Sequence, residues 1–118
     1  MHSFIPPDRF FPYLTWQDID TMKDRENVVI IQPVGSIEQH GPHLPLATDS
    51  IFIDEIICEV LELIPSDIPI KRLPTQCMGF SPEHKSFDGT ISLSSNLITL
   101  LIHIFIFPKI SSLNCFSI

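Results

Sequence analysis

The sequence predicts an α/β fold, a parallel sheet with helices on both faces. A predicted strand at 27–32, a helix at 50–64 and a strand at 68–73 follow one another, and this order is typical of a crossover unit. Residues 28–31 are two valines and two isoleucines, as expected of a strand that is covered on both faces. At 118 residues, the chain has room for one small domain.

Local signals predict where the helices begin and end. Residues 15–18 form a capping box, with Asp18 in place of the usual Glu, for a short helix that extends to about Lys23. Thr48 or Asp49 is predicted to cap the next helix, because a short polar side chain satisfies the first free amides.

The predicted helix at 50–64 carries four acidic residues that we assign to its exposed side. These residues are Asp54, Glu55, Glu59 and Glu62. A long loop at 74–88 follows the second strand. After it we expect a short extended piece at 90–94 and then a third element, either helix or strand.

The segment after the first strand has the composition of a metal site. Residues 35–50 contain two carboxylates, two imidazoles, two glycines and two prolines. Glu38 and His40 stand two apart, so in extended backbone their side chains point to the same side, and Asp49 follows at the helix start. Mixed carboxylate and imidazole donors suit zinc, manganese or iron.

A simpler interpretation of this segment is an ordinary surface loop with a helix cap. We favour the metal site because a loop that needs only solubility has no use for two imidazoles beside two acids. His43 is either a further ligand or a residue that holds a liganding side chain in orientation.

Two ordered blocks of the sequence resemble one enzyme family. Residues 33–49, PVGSIEQHGPHLPLATD, closely resemble the signature of the creatininase family. Residues 79–93, GFSPEHKSFDGTISL, resemble its Gly-x-Ser-x-Glu-His-x-x-Phe-Pro-Gly-Thr segment, with Asp88 where the family usually has Pro. The likeness covers roughly residues 14–101.

The resemblance implies a metal-dependent hydrolase of cyclic amides, amides or formamides. Two divalent ions (zinc or manganese, or else iron) would lie at the carboxyl ends of the strands. By position, Glu38 would bind one ion, His40 the other, and Asp49 would bridge them. The family's remaining ligands, a His and an acid near a Gly-His motif, have no counterpart in this sequence. A full-length member would be expected to form a homo-oligomer.

The second block is expected to cover the loop that carries the predicted metal ligands and to face the substrate. Ser81, Glu83 and His84 would be substrate-side groups, and either Glu83 or His84 would protonate the leaving nitrogen. Gly89 and Thr90 would shape the pocket wall. The alternative is a solvated loop that makes no contact with substrate.

The two ends of the chain differ in character. Residues 1–101 are predicted to be the N-terminal part of a creatininase-like domain, and residues 102–118 a divergent apolar tail; no Asp, Glu, Lys or Arg occurs from 89 to 108. Three functions stay open: an amidohydrolase, a family member acting on a formamide or a peptide, and a truncated, inactive fragment that binds metal weakly or not at all.

Composition limits the partners of the chain. With 14 acidic and 7 basic residues and a net charge of -7, it lacks the basic surface that nucleic acid requires. The apolar run at 97–107 is too short for a membrane span. Cys58, Cys77 and Cys115 are widely spaced and odd in number, which predicts small buried thiols in a reduced, cytoplasmic protein.

Overall fold

The computed structural model describes residues 5–106 and 114–117, with only the backbone of 104–106 and 114–117. The described part contains helices α1 (Trp16–Asp20), α2 (Thr48–Leu63) and α3 (Ser95–Ile106), and strands β1 (Val29–Gln32), β2 (Ile70–Arg72) and β3 (Asn114–Ser117). All three strands are parallel, in the order β2-β1-β3. The predicted α/β class with a parallel sheet is confirmed.

Strand β1 lies at the centre of the sheet. Val29 is paired with Ile70 of β2 on one side and with Asn114 of β3 on the other. Ile30 and Ile31 are buried, as the uninterrupted apolar run predicted. The link between β1 and β2 is the crossover helix α2.

The core lies between α2 and the sheet. Ile31 of β1 packs with Ile57 and Leu61 of α2, and all three are buried. Half-buried apolar side chains surround them: Val29, Ile53, Ile64 and Ile70. Burial of an Ile or Leu side chain contributes about 1.5–3 kcal/mol, so this contact fixes α2 on the sheet.

The predicted helix ends are partly correct. The capping box of α1 is present: the Thr15 hydroxyl accepts from the Asp18 amide, and the Asp18 carboxylate accepts from the Thr15 amide. The helix ends at Asp20, earlier than predicted.

The predicted cap of α2 is wrong. Its N-cap is Ala47, which makes no side-chain cap hydrogen bond. Thr48 instead donates its hydroxyl to the Pro45 carbonyl at 2.6 Å and so closes the preceding turn. Asp49 lies inside the first turn, with its carboxylate engaged by other side chains.

Asp54 does not lie on an exposed face, so its prediction is also wrong. Its carboxylate accepts from the guanidinium of Arg72 at 2.6 Å and from the hydroxyl of Thr75 at 2.6 Å. Arg72 is only 1% exposed. Helical periodicity placed Asp54 beside the other acids, but the buried arginine at the end of β2 determines its surroundings. Glu59 and Glu62 are exposed as predicted.

A second buried arginine holds the turn after α2. Arg9 is 4% exposed and donates to the carbonyls of Ile64, Pro65 and Ile68. The last carbonyls of a helix have no partner within it, so the guanidinium supplies a donor to Ile64 at the end of α2 and a second donor to Pro65 and Ile68, which also accept from backbone amides. It also joins the N-terminal segment to the connection between α2 and β2.

The remaining predictions have mixed outcomes. Cys58 is buried as predicted, but Cys77 is exposed because it lies in the loop after β2; the side chain of Cys115 is outside the described residues. None of the helices in the described ranges is long and apolar enough to cross a bilayer. The third element is a helix, α3, and it continues across residue 101; the division of the chain there stays a prediction.

The Asp54–Arg72 ion pair gives the first testable prediction. Asp54→Ala leaves a buried guanidinium without its carboxylate, so we expect the free energy of unfolding to fall by roughly 3–5 kcal/mol. Urea denaturation measures this loss. Glu59→Ala, on an exposed position of the same helix, should change stability by less than about 0.5 kcal/mol. Equal effects of the two substitutions would contradict the assigned role of the ion pair.

Candidate metal centre

The two sequence blocks meet at the carboxyl end of β1. Val34 forms a parallel bridge with Gln76, and Ile37 forms an antiparallel bridge with Ile91. The Gly35 amide donates to the Gln76 carbonyl at 2.8 Å. These contacts bring the loop after β1 beside the loop after β2, at the edge of the sheet where α/β proteins bind ligands.

Two glycines allow very close packing at this edge. A Cβ on Gly35 would lie 2.6 Å from the Cα and 2.8 Å from the amide nitrogen of Ser50 in α2. A Cβ on Gly79 would lie 2.7 Å from the carbonyl oxygen of Gly35. Any side chain at either position would push backbone away. The first turn of α2 therefore lies directly against the loop after β1.

This packing brings the three predicted metal ligands together. One donor atom from each of Glu38, His40 and Asp49 lies within 4.8 Å of the other two. Within this group, His40 Nε2 and Asp49 Oδ1 lie 3.1 Å apart. Metal bonds of about 2.0–2.2 Å place ligands of one ion up to roughly 4.4 Å apart, so small side-chain rotations would suffice to hold a cation.

Hydrogen bonds orient both liganding groups from outside. Ser36 donates its hydroxyl to Asp49 Oδ2 at 2.5 Å. His40 Nδ1 lies 3.0 Å from the backbone carbonyl of Glu38; because a carbonyl only accepts, Nδ1 carries a proton, and Nε2 faces the Asp49 carboxylate. A hydrogen bond from the second ring nitrogen to a backbone carbonyl is typical of histidines that bind metals.

The same contacts shift the pKa values of Asp49 and His40. The hydrogen bond from Ser36 lowers the pKa of Asp49 below its ordinary value of 3.8, with smaller help from His40 and against the effect of burial. The hydrogen bond to the Glu38 carbonyl raises the pKa of His40 above 6.5, again against burial, and the Asp49 carboxylate adds to the rise. The pair therefore favours its charged forms when no cation is bound.

A second donor group shares Glu38. One donor atom each from Glu38, Glu83 and His84 also lies within 4.8 Å of the others, and His84 Nε2 is 3.9 Å from Glu38 Oε1. Gln39 Nε2 lies 3.0 Å from His84 Nδ1. Glu83 is exposed and His84 half-buried.

The carboxylates face a cleft of about 580 Å³. Its polar lining includes Ser36, Glu38, Asp49, Ser81 and Glu83; its apolar wall includes residues 98, 101 and 102 of α3. The Ser81 side chain is 1% exposed, and its hydroxyl has no hydrogen-bond partner among the described residues. A buried hydroxyl is costly when unpaired, and this one belongs to a residue that lines the cleft.

Three other predicted residues lie apart from the donor groups. His43 is exposed and belongs to neither group, so the structure supports neither role suggested for it. Gly89 has a positive φ of 85° and packs against Leu46. The Thr90 hydroxyl is buried without a partner among the described residues.

Sequence reasoning missed Ser36 and Gln39. Ser36 carried a usable signal, since Ser36, Glu38 and His40 alternate along the chain and share one side of an extended segment. Gln39 carried none, because its partner His84 lies 45 residues away.

Comparison with known proteins identifies the family. The model of the creatininase family, described as creatinine amidohydrolase, matches residues 12–106. The chain belongs to the creatininase family. Members of this family are generally metal-dependent, in keeping with the donor groups found here.

Individual relatives agree with this assignment. The mycofactocin precursor peptide peptidase of Mycolicibacterium smegmatis is 40% identical over 76 residues, covering 63% of this chain and 31% of that protein. The creatinine amidohydrolase of Pseudomonas putida is 28% identical over 95 residues, covering 76% and 35%. A solved mutant creatininase superposes with a TM-score of 0.69 at 26% identity, covering 83% and 38%. The chain thus spans about a third of the length of these relatives.

The Ser36–Asp49 contact gives a prediction on pH dependence. Ser36→Ala should raise the pKa of Asp49 towards 3.8, because the hydrogen bond from Ser36 is the main cause of its depression. A depressed pKa adds stability above the unfolded-state pKa and loses it as the pH falls through the folded-state value. The variant should therefore be less stable than the parent at neutral pH, and the difference should shrink in acid.

Carboxyl-carbon NMR titration would measure the pKa, and urea denaturation from pH 7 to about pH 3 would follow the stability. Ser66→Ala, at an exposed position, is the control. An unchanged Asp49 pKa in Ser36→Ala would contradict the assigned contact.

Proposed function

We propose that this chain supplies part of the site of a divalent-metal amidohydrolase, with Glu38, His40 and Asp49 as metal ligands. The convergence of their donor atoms within 4.8 Å, at the carboxyl end of a parallel sheet, is the observation that carries the proposal. Zinc, manganese and iron all suit the carboxylate and imidazole donors.

A divalent cation bound here would lower the pKa of water and polarise the carbonyl of the amide. The chain's own groups prepare the position for it. Ser36 fixes one oxygen of Asp49 and leaves Oδ1 facing His40. The Glu38 carbonyl holds a proton of His40 on Nδ1, so Nε2, which faces Asp49, is the nitrogen that would bind a cation in place of its proton.

Two ions would need more ligands than these three side chains provide. The two-ion site that the resemblance implies takes a further His and a further acid as ligands. Among the described residues, the only other donor group is that of Glu38, Glu83 and His84. We propose that Asp49 would be a ligand to both ions, and that water or residues beyond this chain would complete their coordination.

The substrate-side groups lie at the rim of the cleft. The leaving nitrogen of an amide must gain a proton, and we assign this role to Glu83 or His84, both close to Glu38. The unpaired hydroxyl of Ser81 would hydrogen-bond the substrate. The apolar wall from α3 favours a substrate with an apolar part beside its amide.

We propose a peptide amide as the substrate. The higher identity to relatives named mycofactocin precursor peptide peptidase, 40% against 28% for creatinine amidohydrolase, and the apolar wall of the cleft support it. A cyclic amide such as creatinine is the second candidate, favoured by the family description. We further propose a cytoplasmic protein that forms homo-oligomers and has no nucleic-acid or membrane partner.

The metal site gives a prediction that needs no substrate. Calorimetry with zinc and with manganese should show weak binding, because three donors leave most coordination positions to water. His40→Ala should abolish measurable binding. His43→Ala, which removes a nearby but exposed imidazole, should bind as the parent does. Tight binding of two ions per chain would show that these donors suffice alone and would contradict the shared-site proposal.

Activity should require donors from beyond the 118 residues. We expect the chain alone to be inactive on creatinine and on a peptide amide, with either zinc or manganese. A fusion to the remaining segment of the Mycolicibacterium smegmatis relative should be active and should lose at least about 100-fold with His40→Ala, since loss of a ligand displaces the cation. His43→Ala in the fusion is the control. Turnover by the unfused, monomeric chain would overturn this division of the site.

A further inference from the structure

The two imidazoles of the site face opposite kinds of hydrogen-bond partner. His40 Nδ1 faces a backbone carbonyl, whereas His84 Nδ1 faces the amide nitrogen of Gln39. We propose that Gln39 is the positioning residue that sets the tautomer of His84 and keeps the proton of the neutral imidazole on Nε2.

The orientation of the Gln39 amide follows from its other contact. The backbone N–H of Gly41 donates to Gln39 Oε1 at 3.0 Å. Because a backbone N–H only donates, the atom facing it must be the amide oxygen, and the opposite atom must be the NH₂ group. Gly41 adopts this turn with a positive φ of 73°, a conformation that glycine tolerates.

The tautomer of His84 follows from that orientation. The NH₂ group of Gln39 donates towards His84 Nδ1 at 3.0 Å, so Nδ1 must carry the lone pair. A neutral imidazole then carries its proton on Nε2. That N–H points to Glu38, with Nε2 lying 3.9 Å from Oε1.

This arrangement separates the two donor groups that share Glu38. A protonated Nε2 is a donor and cannot bind a cation, so the group of Glu38, Glu83 and His84 lacks a nitrogen ligand. His40 is the reverse case: both of its ring nitrogens face acceptors, the Glu38 carbonyl at Nδ1 and the Asp49 carboxylate at Nε2, so its Nε2 can exchange a proton for a cation. In a step that rests on the proposed function, Gln39 would thus confine imidazole ligation to the His40 side and keep His84 as a hydrogen-bond donor.

The tautomers can be observed directly in the metal-free protein. Long-range ¹H–¹⁵N spectra of uniformly labelled protein distinguish the two nitrogens of each imidazole. At about pH 8, where an ordinary imidazole is largely neutral, we expect the proton of His84 on Nε2. A His84 signal pattern with the proton on Nδ1, or an even mixture, would overturn the inference.

Variants of Gln39 test the cause. Gln39→Glu replaces the donating NH₂ by an acceptor, so His84 Nδ1 should become protonated. Gln39→Leu should leave a mixture, while the control Gln17→Leu, at an exposed position of α1, should leave the spectrum of His84 unchanged. Folded Gln39→Glu protein that keeps Nδ1 unprotonated would overturn the role of Gln39. If Gln39→Glu does not fold, Gln39→Leu protein in which His84 keeps its proton on Nε2 alone would overturn the role of Gln39.

A zinc titration separates this inference from the proposed function. In the parent protein, zinc should shift the Nε2 signal of His40 and leave the Nε2 proton of His84 in place. Loss of that proton on zinc addition would overturn the inference. Absence of any zinc effect would contradict the metal site, and the tautomer of His84 in the metal-free spectra would still decide this proposal.

Discussion

The candidate site depends on how closely the first turn of α2 approaches Gly35. The backbone of Ser50 lies where any side chain at position 35 would have to be, 2.6 Å from an added Cβ. Ser50 also donates its hydroxyl to the Ser36 carbonyl at 3.0 Å. This contact sets the distance from Asp49 to the segment that carries Glu38 and His40. The donors converge because two pieces of backbone touch, and no flexible side chain has to span the gap.

The polar interior makes that contact rigid. Arg72 and Arg9 are 1% and 4% exposed. Arg72 binds Asp54 on the side of α2, and Arg9 binds the turn that follows this helix. Charges taken out of water are tolerated only when every partner is in place. A small domain with a modest apolar core therefore relies on specific polar geometry to keep α2 in one position.

Local patterns could be predicted from the sequence, and distant contacts could not. The buried strand β1 and the capping box of α1 depend on neighbouring residues, so both were predicted correctly. The surroundings of Asp54 depend on Arg72, 18 residues away, and periodicity alone gave the wrong answer. The cap of α2 was mispredicted for a related reason: Asp49 has the chemistry of a cap, but Ser36 and His40 take its carboxylate.

Glu38 belongs to both donor groups, and this sharing has a thermodynamic consequence. A carboxylate drawn towards one side is less available to the other, so occupancy of the two sides is linked. Linkage is reciprocal: a ligand at the rim that alters cation affinity must have its own affinity altered by the same factor. Through Glu38 alone, the affinity of the cleft for a ligand at its rim would depend on whether the cation is bound, without movement of any helix or strand.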